Sequence, residues 1–140
     1  MKHLSLISVL LLSGLLTNCN DKGPGPTPPQ LYGSTWSLSS STVVQTDQSG
    51  TTTTTTSTVP SGAYSIYYPG DGTYRLTTGS ATATGGCVYD GKTITLTTTV
   101  GSSQTRVMTV SSLTTTQLVT VEKAQAAGSA YTTTSTYTRL

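Results

Sequence analysis

Gly70-Asp71-Gly72-Thr73-Tyr74-Arg75-Leu76-Thr77 and Asp90-Gly91-Lys92-Thr93-Ile94-Thr95-Leu96-Thr97 are two copies of one signal. In each, Asp-Gly supplies the positive φ that a tight hairpin turn needs. Strict alternation of apolar and polar residues follows, which is the mark of a half-buried strand. Tyr74 and Leu76 fall on one face of the first strand, and Ile94 and Leu96 on one face of the second.

The same grammar extends outward in both directions. Upstream, residues 63–68 alternate with Tyr64, Ile66 and Tyr68 on one face, and Pro69-Gly70 turns the chain into the first Asp-Gly hairpin. Before them lies the run of threonines at residues 51–56, which Pro60-Ser61-Gly62 ends. As a strand, this run has the right propensity but no pattern to fix its register. As low-complexity linker, it would be mobile or glycosylated. The strand is the favoured reading, because the run lies between two clear strands. The first strand would place Trp36, Leu38, Ser40, Thr42 and Val44 on one face.

Downstream, residues 81–89 form a strand interrupted by Gly85-Gly86, which suggests a bulge or a close backbone approach. Arg106, Met108 and Val110 alternate with Val107 and Thr109; residues 118–123 form a further strand. Residues 124–129 read as a small-residue loop with room for one helical turn. Residues 131–140 close the chain with Tyr131, Thr133, Ser135, Tyr137 and Arg139 on one face. Eight or nine short strands at regular spacing, with hairpin-length connections and no sustained 3.6 period, predict an all-β fold. An antiparallel up-and-down β-barrel of about eight strands comes first, and a β-sandwich is the alternative.

The 140 residues suffice for one domain after an N-terminal leader. Lys2 and His3 precede an apolar run over residues 4–16, too short for a comfortable membrane span and right for a secretory signal. It ends in Leu16-Thr17-Asn18-Cys19, which resembles the lipobox of bacterial lipoproteins. That resemblance implies a signal peptide over residues 1–18, lipidation of Cys19, and a membrane as partner through that anchor. Residues 19–30 are rich in Pro and Gly and form a tether, about 30 Å long at roughly 3.1 Å per residue. The barrel domain would occupy residues 31–140.

The formal charge is +2, and export would remove Lys2, leaving the chain close to neutral. No basic stripe exists for nucleic acid. The single histidine, His3, lies in the leader. Serine–histidine nucleophilic catalysis and zinc sites with histidine ligands are therefore not expected of the exported chain, and neither a metal nor a cofactor is implied. Threonine makes up nearly a quarter of the sequence and phenylalanine is absent, so the core must come from Tyr, Leu, Val and the one Trp.

The order of these pieces resembles the lipocalin-like domains of bacterial lipoproteins. The matching residues are Leu31, Gly33 and Trp36; Asp71 through Leu76; Asp90 through Leu96; Leu113, Thr114 and Leu118; and Tyr131, Tyr137 and Arg139. Gly33 and Trp36 stand one residue further apart than in that pattern, and Cys87 occupies a place where an aromatic is common. The resemblance implies a barrel with Trp36 on the first strand lying under Arg139 at the last.

Several residues are candidates for function. Tyr64, Tyr68 and Tyr74 either line a ligand cavity or fill the core. Asp71 and Asp90, at one end of the barrel, either form a carboxylate pair of glycosidase or calcium type or are turn residues whose side chains bond their own backbone. Cys87 is either a reactive thiol or a small buried hydrophobe. The leading expectation is a non-enzymatic, lipid-anchored module at the bacterial cell envelope, with the outer membrane preferred, binding a small amphipathic or hydrophobic ligand or a partner. The competing expectations are a filled barrel with a structural or surface role and, more distantly, a carboxylate-based glycosidase.

Overall fold

The computed structural model describes residues 30–98 and 103–140. The expected leader and most of the tether, including Cys19, lie outside the described residues.

Among the described residues the β-branched and tyrosine-rich segments form nine strands: β1 (Ser34–Thr46), β2 (Thr52–Thr58), β3 (Tyr64–Tyr68), β4 (Thr73–Thr78), β5 (Ala81–Tyr89), β6 (Thr93–Thr98), β7 (Thr105–Leu113), β8 (Gln117–Ala126) and β9 (Ser129–Arg139). All pairings are antiparallel. The ladder runs β1-β3-β4-β5-β6-β7-β8-β9 and returns from β9 to β1, so eight strands close a barrel and β2 is an addition on the edge of β1. Closure covers the strand edges except where β7 and β8 part, since residues 105–108 and 122–126 lie beyond their shared ladder.

The hairpins follow from turn chemistry. Gly72 and Gly91 take φ of 83° and 90°. Asp71 Oδ1 accepts from the Thr73 backbone N–H at 3.0 Å and from its hydroxyl at 2.5 Å. Asp90 Oδ1 accepts from the Lys92 and Thr93 N–H groups at 2.9 and 2.6 Å. Each aspartate thereby supplies acceptors that the tight loop backbone lacks.

The inward rows pack one core. Trp36, Ile66, Tyr68, Ile94, Leu118 and Tyr137 are buried, together with Leu31, which caps the end where β1 begins. Trp36 lies opposite Ile66 on β3 and Arg139 on β9, so it sits on the strand that closes the barrel. Its Nε1 donates to the Leu31 carbonyl at 3.1 Å, and the Arg139 guanidinium carbon stands 6.0 Å from its ring centroid.

Two expectations need correction, and the structure decides between the two readings of Gly85-Gly86. The face of β1 does not run from Trp36 to Val44 without a break. The register with β9 shifts between Leu38 and Ser40, so Leu38 opposes Tyr137 whereas Ser41 and Val43, not Ser40 and Val44, oppose Ser135 and Thr133. The extra residue of a bulge moves every later side chain to the other face. Residues 124–129 hold no helical turn: β8 continues to Ala126, and Ala127 and Gly128, with φ of 49° and 77°, turn the chain directly into β9. Gly85-Gly86 is no bulge, since the ladders to β4 and β6 pass through both residues without a shift. It is a close approach. A Cβ at Gly85 would stand 2.2 Å from the Thr97 carbonyl oxygen and 2.7 Å from the Tyr74 ring.

Candidate functional site

Tyr64, Tyr68 and Tyr74 all belong to inward rows, but they do not form one cavity wall. Tyr68 is only 1% exposed and Tyr74 4%. Burial pushes the Tyr68 hydroxyl well above its ordinary pKa, and the Tyr137 hydroxyl up to about 12. These rings fill the core. Tyr64 is half-buried nearer the opposite end, opposite Thr78. At that end Arg106, on the inward row of β7, grips both carboxylate oxygens of Glu122 on β8, through Nε at 3.1 Å and Nη2 at 2.5 Å. The β7–β8 ladder covers Thr109 to Leu113 on β7, so this bidentate pair joins the two strands beyond the end of their backbone pairing. The hydrogen bond to Glu122 raises the Arg106 pKa further, so this group stays a cation at all relevant pH.

Cys87 is 2% exposed in the core, and burial pushes its thiol up to about 11. The thiolate is the nucleophile, and at neutral pH Cys87 holds almost none. Asp71 and Asp90 close the β3–β4 and β5–β6 turns, alternate connections that share one end of an up-and-down barrel. Their pKa values are lowered, by the Thr73 side chain in one case and by the Lys92 and Thr93 backbone in the other. A glycosidase acid needs a carboxyl raised toward neutrality. Both carboxylates are instead held ionised by turn hydrogen bonds. No cluster of metal-ligating side chains occurs among the described residues.

A cleft of about 690 Å³ lies elsewhere, bounded by the turn before β4 and the outward sides of β3, β4 and β5. Register builds it. Tyr67 on β3 pairs with Arg75 on β4, which pairs with Thr84 on β5, giving an outward row across three strands. One step along, Thr73 pairs with Gly86, and Tyr74 pairs with Gly85. Gly85 faces the core with Tyr74, whereas Gly86 shares the outward side with Thr84 and carries no side chain there, so the backbone itself forms the floor. Pro69 and Asp71 form the end wall. Tyr67 is 38% exposed, the most exposed aromatic ring of the core strands, and among the described residues Arg75 has no ion-pair partner.

An aromatic face, a guanidinium and a carboxylate around a backbone floor can hold a small molecule with an apolar body and a polar end. Of the three tyrosines weighed as ligand contacts or core, this cleft includes Tyr74 alone. Tyr67, Arg75 and the glycine pair were not anticipated as a site. Gly86 is the signal that points there, since it leaves one outward position of the sheet without a side chain. Comparison with protein-family models, with curated proteins and with solved structures finds no match, so the functional reading rests on these residues.

Proposed function

We propose that this chain is a lipocalin-like binding module without catalytic activity, held at the cell envelope by lipid on Cys19, and that its outer cleft receives a small amphipathic ligand. The cleft carries the reading. Its volume falls in the range of about 300–1,000 Å³ typical of small-molecule sites, and it joins a largely apolar lining to a few polar groups. Asp71 and Asp90 support the absence of catalysis, because neither is poised to give a proton near neutral pH. A second reading, a filled barrel with a structural role, draws on the enclosed Trp36, Tyr68 and Leu118, which leave that end of the barrel packed by its own side chains.

Native mass spectrometry of the full chain separates the two. A co-purified small molecule is expected, and Tyr67→Ala combined with Arg75→Ala should reduce its retention at least tenfold while Tyr64→Ala leaves it unchanged. A wild-type protein that carries no ligand and takes up none from an envelope extract would favour the structural barrel. Turnover of a glycoside, abolished by Asp71→Asn with Asp90→Asn in a folded protein, would overturn the non-enzymatic reading.

The anchor is tested separately. Cys19→Ser should move the protein from the membrane fraction to the soluble fraction, since several acyl chains anchor stably and none cannot. Equal solubility of the wild type and the variant would remove the lipid anchor from the proposal.

A further inference from the structure

We infer that β2 is a pairing edge, and that its occupant is β2 of a second copy of this chain in antiparallel two-fold register centred on Thr55. All residues of β2 are exposed. One edge of the strand is bonded to β1 over Ser40 to Thr46, and among the described residues no strand pairs with its other edge. Natural edges are commonly guarded by lysine, proline, a bulge or an inward charge. Thr52–Thr58 has none of these, and its register with β1 is unbroken.

The hydrogen-bond phase fixes which groups face outward. Asp47 N–H donates to the Thr51 carbonyl at 3.0 Å, and Val59 N–H donates to the Ser39 carbonyl at 2.9 Å. Antiparallel pairs alternate between hydrogen-bonded and non-hydrogen-bonded. Between those two fixed points Thr53, Thr55 and Ser57 must therefore turn their backbone groups toward β1, and Thr52, Thr54, Thr56 and Thr58 must present theirs at the open edge.

A two-fold axis at Thr55 puts Thr54 of one copy opposite Thr56 of the other, and Thr52 opposite Thr58, so every outward backbone group meets a complementary one. Thr55 then faces Thr55, and Thr53 faces Ser57, as closely spaced non-hydrogen-bonded pairs. The same class of pair on the β1 side already joins hydroxyls, Thr42 to Thr56 at 3.0 Å and Thr46 to Thr52 at 3.3 Å. The homopolymeric run makes the edge its own complement, which a second copy satisfies without any other sequence. The strand carries no charge, so two copies approach without repulsion.

Cross-linking tests this in the full chain on a Cys19→Ser background, where Cys87 is buried and inert. Thr55→Cys should give a disulfide-linked dimer under mild oxidation, at least tenfold faster than Val88→Cys, which is exposed on another strand. Adding Thr54→Pro should abolish that dimer, because it removes an outward N–H while leaving the β1 ladder intact. Sedimentation equilibrium should show a dimer for the background protein and a monomer for Thr54→Pro. Cross-linking of Thr55→Cys no faster than Val88→Cys, or a background protein that is monomeric at all concentrations, would overturn the inference. So would dimerisation that survives Thr54→Pro.

Discussion

Trp36→Ala should lower the unfolding free energy by about 3–5 kcal/mol, the range for truncating a large buried aromatic. The indole is wholly buried on the strand where the barrel closes, flanked by Ile66 on β3 and Arg139 on β9. Truncation would leave a cavity, strip the Leu31 carbonyl of its donor at 3.1 Å, and remove the ring beneath the Arg139 guanidinium. Domains of this size have about 5–15 kcal/mol in total, so the loss is at least about a fifth of the whole. Urea titration followed by far-UV circular dichroism measures it without relying on the lost fluorophore. Trp36→Phe keeps most of the apolar volume and should cost less than half as much. An alanine variant with the wild-type midpoint would mean that the closing strand is held by its backbone ladders alone.

Gly85→Ala should have the next largest effect, a loss of about 1–3 kcal/mol of the kind that overpacking produces. The added methyl would meet the Thr97 carbonyl oxygen at 2.2 Å, a backbone atom fixed by the β6 ladder, and the Tyr74 ring at 2.7 Å. Neither can withdraw without disturbing its own packing: Tyr74 is 4% exposed. Gly86→Ala is the internal comparison. Its nearest atom would be the Gly72 carbonyl oxygen at 3.9 Å, an ordinary contact, and alanine reduces the freedom of the unfolded chain. The pair of variants should therefore differ in sign or nearly so. Equal midpoints for the two would show that the β5–β6 approach relaxes easily.

Much of the barrel is legible in the residues because its information is local. Asp71-Gly72 and Asp90-Gly91 encode turns by side-chain acceptors and positive φ, and the alternation after each one states which residues face inward. Trp36, Ile66, Ile94 and Leu96 are buried for the reason their spacing gives. Where a residue pattern is weak, the sequence is silent. The threonines of residues 51–56 have strand propensity on both faces and an apolar stripe on neither. Propensity made β2 a strand, but β3 takes the stretch of the same β1 edge that leads on to β4, and that leaves β2 outside the barrel.

The bulge after Leu38 shows the same limit. Ser39, Ser40 and Ser41 are nearly interchangeable as side chains, so nothing in their order marks where one residue drops out of register. The Arg106–Glu122 pair and the row Tyr67–Arg75–Thr84 are further removed. Each joins residues on different strands whose partners no local pattern names. Strand identity, turn positions and the inward apolar set were thus determined by the sequence itself, since turn angles and a period of two are properties of neighbouring residues. The open edge of β2, the ion pair at the rim and the outer cleft were decided by tertiary structure alone, because each depends on which strand lies beside which, and in what register.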